Sequence, residues 1–244
     1  MRVAGDRLPE DSMKITVRGD YQWSVLPCLF ESTTPLAQAL TDYYDYATPG
    51  DMVKAHNRFA VFTSDRKWEG NLTALRPGEG YMLYRQSPGS KVISFYPSVM
   101  NTNVARRNAS PVAEAYTNPN AATNMTMIAQ VEKENNLSDI RVYVGGELAA
   151  VSAPITIGRE TYFFLTIQSD QVSEIRFEMG NETLEVSPAN GQAPVRYAAD
   201  AHAGSVEKPI MLRVKDNLPY KIIENDHVVI IRNNKKYDVT GQNL

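Results

Sequence analysis

The sequence holds one cysteine, three histidines and no apolar run near the roughly 20 residues that a membrane-spanning helix needs. Each shortage excludes something. A lone cysteine forms no intrachain disulfide, so cysteine usage leaves the redox compartment open. Cys28 itself, inside the apolar stretch 25–30, reads as a small buried hydrophobe. His56, His202 and His227 stand in three separate segments without the spacing of a hydrolytic metal site, and each reads as a loop or surface residue. There is no G-x-S-x-G elbow, no G-x-x-x-x-G-K-[ST] phosphate loop and no H-E-x-x-H pair. No catalytic residue, metal or cofactor is expected on these grounds. Neither sign of charge is in marked excess. With 25 basic and 28 acidic residues the net charge is -3, which supplies no stripe for nucleic acid or an anionic membrane. The opening residues, Met1 to Arg7, lack the apolar core of a signal peptide. Taken alone, that points to a cytoplasmic chain, or to a segment cut from a longer one.

What remains is an ordinary globular composition. At 43% hydrophobic over 244 residues, the chain can bury one large core or two modest ones. Strand patterns dominate. Met13, Ile15 and Val17 alternate with polar residues, Gly19-Asp20 breaks the run, and Tyr21, Trp23 and Val25 resume it. One helix start follows: Ser32-Thr33-Thr34 offers caps, Pro35 suits the first turn, and Leu36, Ala39, Leu40, Tyr43 and Tyr44 fall at helical spacing before Thr48-Pro49-Gly50 ends it. Further strands are expected over 58–63, 81–84 and 92–96, with a dense turn at Arg76-Pro77-Gly78-Glu79-Gly80.

Residues 97–123 are rich in Asn, Ala, Pro and Ser and read as a linker or long loop. Beyond them the turn spacing is that of a β-sandwich. Gly145-Gly146 has the composition of a two-residue hairpin loop that needs positive φ. Residues 162–167 form a nearly continuous apolar run, the mark of a strand buried on both faces. Strands are also expected over 125–131, 140–144, 147–151, 175–179, 184–186, 195–199 and 210–214. After Pro219, short strands at 221–223, 228–231 and 237–239 are separated by Asn225-Asp226 and Asn233-Asn234 and predict a small meander. The expected organisation is a β-rich module with one helix (1–100), a linker (101–123), an Ig-like antiparallel β-sandwich (124–218) and a terminal meander (219–244). The fold class is mainly β.

Several segments resemble a specific kind of protein. Trp68-Glu69-Gly70-Asn71-Leu72 followed by Leu75-Arg76-Pro77-Gly78-Glu79-Gly80-Tyr81-Met82 is similar to the W-x-G-x-L…L-x-P-G-x-G-Y segment of modules in large secreted and surface proteins of Bacteroidetes. Gly50-Asp51-Met52-Val53-Lys54 and Tyr21-Gln22-Trp23-Ser24 match stretches that precede it. The run 162–167, the segment 200–205 and the end, Val228 to Gly241, resemble the sandwich and tail that follow. The resemblance implies the C-terminal portion of a secreted or cell-surface protein, acting as spacer, adhesion or anchoring unit, and transfers no catalytic residue. The tail is short and lacks the usual basic ending of a sorting domain. In such a chain the N-x-[ST] triplets at Asn71, Asn108, Asn124, Asn136 and Asn181 are expected by chance.

The remaining functional signal is aromatic. Tyr21, Trp23, Tyr43, Tyr44, Tyr46, Trp68, Tyr81 and Tyr84 crowd the first unit. Trp23, Trp68 and Tyr81 read first as core. Aromatic faces also stack on sugar rings, so the alternative is a carbohydrate-binding module, with Tyr44, Tyr46, Trp68 and Tyr84 as candidate ligand-binding residues. Asp45, Asp51, Glu69 and Glu79 lie near these aromatics, but turn and cap roles account for Asp51 and Glu79 without a catalytic carboxylate pair. The partner expected is a glycan or a protein at the cell surface.

Overall fold

A computed structural model describes residues 14–30, 32–94, 116–132, 137–187, 195–215, 220–224, 227–232, 235–240 and 242. It is mainly β with one short helix, as the patterning predicts. The first unit centres on a five-stranded antiparallel sheet ordered β2 (Gln22–Pro27), β8 (Gly80–Arg85), β4 (Met52–Lys54), β5 (Phe59–Phe62) and β6 (Trp68–Gly70). Two small ladders accompany it, β1 (Lys14–Val17) with β9 (Lys91–Ser94) and β3 (Thr34–Pro35) with β7 (Ala74–Leu75).

Alternation along these strands sends Leu26, Val53, Ala60, Phe62, Tyr81 and Leu83 into one core, where they meet Leu36, Leu40 and Tyr43. Trp23, Met52, Phe59, Val61 and Tyr84 belong to a different cluster on the sheet's other face. The phase of β2 differs from expectation. Ser24 and Leu26 are its buried positions, while Tyr21 and Val25 are 69% and 72% exposed. Cys28 is half-buried against the first core rather than enclosed.

The helix is shorter than its spacing predicts. Only α1 (Leu36–Ala39) is helical, and the chain continues to Ala47 through turns such as Tyr43 N–H to Leu40 O and Tyr46 N–H to Tyr43 O. Thr41 donates its hydroxyl to Gln38 O at 2.8 Å, the local side-chain bonding that competes with a helix ladder. The apolar spacing still works, because Leu36, Leu40 and Tyr43 remain on the buried side.

The second unit is one large sheet ordered β12 (Glu147–Ser152), β11 (Ile140–Val144), β15 (Ile175–Met179), β16 (Glu182–Val186), β18 (Ile210–Val214), β10 (Asn124–Val131), β14 (Glu160–Gln168) and β13 (Ile155–Ile157), with β17 (His202–Ala203) also paired to β10. Its ladders are antiparallel except β10 with β17 and β10 with β18. The sheet curls until β12 packs against β14, and Ser152 Oγ donates to Phe164 O at 3.1 Å. The result is sandwich-like, with Met127, Phe163, Leu165, Ile167 and Phe177 among the residues inside. Gly145 and Gly146 take φ of 59° and 88°, the left-handed pair that turns β11 into β12. Residues 195–199, expected as a strand, make only an isolated bridge, Arg196 to Glu174.

Residues 95–115, the end of the strand expected over 92–96 and most of the segment read as a linker, lie outside the described residues. Residues 116–123 are tied to the second unit, since Asn118 N–H donates to Gln168 Oε1 at 3.0 Å and Tyr116 hydroxyl to Leu148 O at 2.9 Å. The tail is a meander of β19 (Tyr220–Glu224), β20 (His227–Arg232) and β21 (Lys235–Tyr237). The turn residues 225–226 and 233–234, with Asn108 and Asn136, lie outside the described residues.

The two units meet along a buried seam. The outer face of the first sheet contributes Met52, Phe59 and Val61, and β10 and β14 contribute Ile128, Tyr162 and Phe164. Phe59 and Phe164 sit with ring centroids 5.3 Å apart. Burial of each such side chain stabilises by about 1.5–3 kcal/mol. Residues 162–167 are therefore buried on both faces, as expected, and the second cover is the first unit's own sheet. Polar stitches reinforce the seam. Asn71 accepts from Phe59 N–H at 2.9 Å and donates to Phe164 O at 3.1 Å. Lys54 Nζ, nearly buried, lies 3.2 Å from Asp200 and 3.3 Å from Asn124 Oδ1.

Candidate functional site at the junction of the two units

The four aromatics singled out in the sequence do not form one surface. Trp68 is half-buried at the first core, its ring 5.2 Å from Phe62 and 6.3 Å from Tyr43. Its indole N–H is buried and finds no acceptor among the described residues. Tyr44 stands edge-on to Phe62 at 5.5 Å, donates its hydroxyl to Arg66 O and lies under the Arg66 guanidinium. Tyr46 is more exposed and carries Lys91 Nζ 5.0 Å from its ring centre. Tyr84 alone is on the outer face, 5.0 Å from Trp23 between ring centroids. Trp23, read as core, is half-buried there too, with Lys54 Nζ 4.6 Å from its ring centre. Tyr81 is buried as expected.

Trp23 and Tyr84 form part of a cleft of about 410 Å³ where the two units join. The first unit supplies Tyr21, Trp23, Met52, Thr63, Tyr84 and Gln86, and the second supplies Ile128, Asp200, His202, Ser205, Val206 and Glu207. The volume falls within the range of small-molecule sites, and a seam between units is a common place for one.

Tyr21 is held at the cleft by an unusual backbone. It has φ of 60° and follows Asp20 at 59°. Bulky residues rarely occupy this left-handed region. The turn is fixed from the neighbouring loop, where Asp20 N–H donates to Ser87 O at 3.0 Å and Gly89 N–H to Asp20 Oδ2 at 3.4 Å. That loop is gathered in turn by the buried Arg85 guanidinium, which donates to the carbonyls of Ser87 and Pro88.

No family model, curated protein or solved structure matches the chain. The site stands on its own geometry. Tyr84 ionises above the ordinary tyrosine value, through burial first and then the nearby Tyr21 and Asp51. His202 Nδ1 lies 2.9 Å from Thr126 Oγ1, and its ring meets Phe59 edge-on at 6.2 Å. Desolvation of the ring disfavours the charged imidazolium and holds its pKa below the usual 6.5, against a hydrogen bond at the Gly204 backbone and although the residue as a whole is exposed. Aromatic surface, hydroxyls, an amide, an imidazole and carboxylates thus face one space. Chemically the arrangement suits recognition.

Sequence reasoning missed Tyr21 and Trp23 as site residues. For Trp23 the signal was present in its alternation with Ser24 and Leu26, and the error was to read its ring as core; Tyr21 precedes β2 and is placed by a left-handed backbone that no local pattern announced.

Proposed function

We propose that the chain is a non-catalytic interaction module of a secreted or cell-surface protein, serving as a spacer, adhesion or anchoring unit that presents a binding cleft. The observation that carries this reading is the seam. Two β units that could have hung on a flexible linker are instead pressed together through Phe59, Ile128 and Phe164 and pinned by Lys54 to Asp200. Such a body transmits position and load, and it builds at its junction a cleft that neither unit has alone. Export rests on the likeness of the W-x-G-x-L…P-G-x-G-Y segment to modules of surface proteins. A second reading, carbohydrate binding, is favoured by the Tyr21, Trp23 and Tyr84 cluster rather than by Tyr44, Tyr46 and Trp68.

Expression of the whole reading frame with an epitope tag in its source cell tests the module. Tag accessible to antibody on intact cells, or released into the medium, is the expected result. Retention in the cytosol would overturn it.

A further inference from the structure

We propose that the junction cleft binds a short neutral saccharide, with Tyr21 as the platform on which a pyranose ring stacks and the polar wall groups meeting its hydroxyls. The proposal rests on the interaction-module reading and names the ligand class of its cleft.

Tyr21 supplies the first reason. An aromatic residue in a left-handed conformation is strained, and strain of this kind persists only where the surroundings impose it. Here Ser87 and Gly89 hold the preceding residue, Asp20, which is left-handed too, and Arg85 gathers the loop that carries them, while Gln22 beyond is locked into β2. Yet the side chain so positioned is 69% exposed and contributes little to packing. Glycine or asparagine would satisfy the same turn without strain. What the tyrosine adds is an open ring face beside Trp23 and Tyr84, available to something outside the chain.

Charge narrows the occupant. Among the described residues, the cleft's formally charged side chains are Asp200 and Glu207, and no lysine or arginine lines it. An anionic ligand meets repulsion there. A cationic ligand would seek the Trp23 ring and Asp200, but both are already engaged by Lys54, 4.6 Å from the ring centre and 3.2 Å from the carboxylate. What stays open is the Tyr21 face with a mixed rim of donors and acceptors: Thr63, Gln86, His202, Ser205 and Glu207. That pairing fits an uncharged ring with C–H faces and hydroxyl edges, as a pyranose has. The volume of about 410 Å³ suits one or two such rings rather than a long enclosed polymer.

Affinity electrophoresis of the full chain tests this, in gels containing a soluble β-glucan, a mannan or a xylan, with polygalacturonate and oligolysine as charged probes. Retardation by at least one neutral polysaccharide is expected. Tyr21→Gly should weaken it tenfold or more while the thermal midpoint stays the same or rises, because glycine accepts the left-handed turn. Tyr21→Asn, which also tolerates that turn, should behave alike and covers the event that the glycine variant folds poorly. Mobility unchanged by every neutral polysaccharide, retardation that survives both substitutions, or binding to polygalacturonate or oligolysine alone would each overturn the proposal. The two readings fail separately: a surface-exposed chain that ignores neutral polysaccharides loses only its ligand, whereas cytosolic retention removes the module.

Discussion

Asp51 is fully buried and surrounded by donors. Its Oδ2 accepts from the Tyr43 hydroxyl at 2.6 Å and Thr48 N–H at 3.0 Å, and its Oδ1 from Thr48 Oγ1 at 3.1 Å and Gln86 N–H at 2.9 Å. Burial, then the hydrogen bond to Asp51, pushes the Tyr43 hydroxyl far above the ordinary tyrosine pKa, so it stays a donor across the physiological range. The carboxylate thus joins the turn after α1 to the residue that follows β8 and leads into the loop supporting Tyr21. Replacing it by alanine strands those donors in a dry place. Asp51→Ala should cost about 3 kcal/mol or more of stability, read as a lower urea midpoint with an unchanged slope. A turn role for Asp51 was legible from its place after Thr48-Pro49-Gly50. The bonds to Tyr43 and Gln86 were not, because they join residues whose proximity depends on the finished sheet.

At the scale of elements, the W-x-G-x-L and P-G-x-G-Y segments acquire physical reasons. Gly70 has φ of 147°, and a Cβ there would sit 2.4 Å from Phe59 O and 2.8 Å from Ala60 Cα. The glycine lets β6 lie against β5 and sets Asn71 where it bonds both Phe59 and Phe164. Gly70→Ala combines backbone strain with that clash and should destabilise by about 2–4 kcal/mol, measured as a fall in denaturant midpoint. In the second segment the turn closes on itself: Arg76 N–H donates to the Tyr81 hydroxyl at 2.7 Å, and that hydroxyl donates to Glu79 Oε2 at 2.7 Å. Arg58 binds the same carboxylate at 2.8 Å. The strands were the most readable elements, since period-two alternation and turns such as Gly145-Gly146 act locally. The helix was overread because its apolar spacing survives in a chain of turns, along which Thr41 bonds Gln38 O through both its N–H and its hydroxyl.

For the whole molecule, the nearly continuous apolar run 162–167 of β14 already called for cover on both faces. What the sequence could not say is that each unit covers the other. The cleft was illegible for the same reason: Tyr21, Trp23, Tyr84 and Gln86 on one wall and Asp200, His202 and Glu207 on the other face each other only across the seam. His202 ties that seam to pH. Its folded pKa is lowered below 6.5, so the unfolded chain binds the proton more readily. Its contribution is complete above about pH 6.5 and declines as pH falls toward the folded pKa. A ¹H NMR titration should place the His202 midpoint below 6.5. The denaturation midpoint should drop between pH 7 and 5, and the drop should shrink in His202→Gln.

The central claim is that the two β units form one body whose junction is the working part. Differential scanning calorimetry of the full chain at neutral pH reads this directly. A single transition spanning both units is expected, its van't Hoff enthalpy matching the calorimetric one apart from any separate melting of the tail. Two resolved transitions, each unit melting independently of the other, would contradict the claim and leave the cleft a chance apposition.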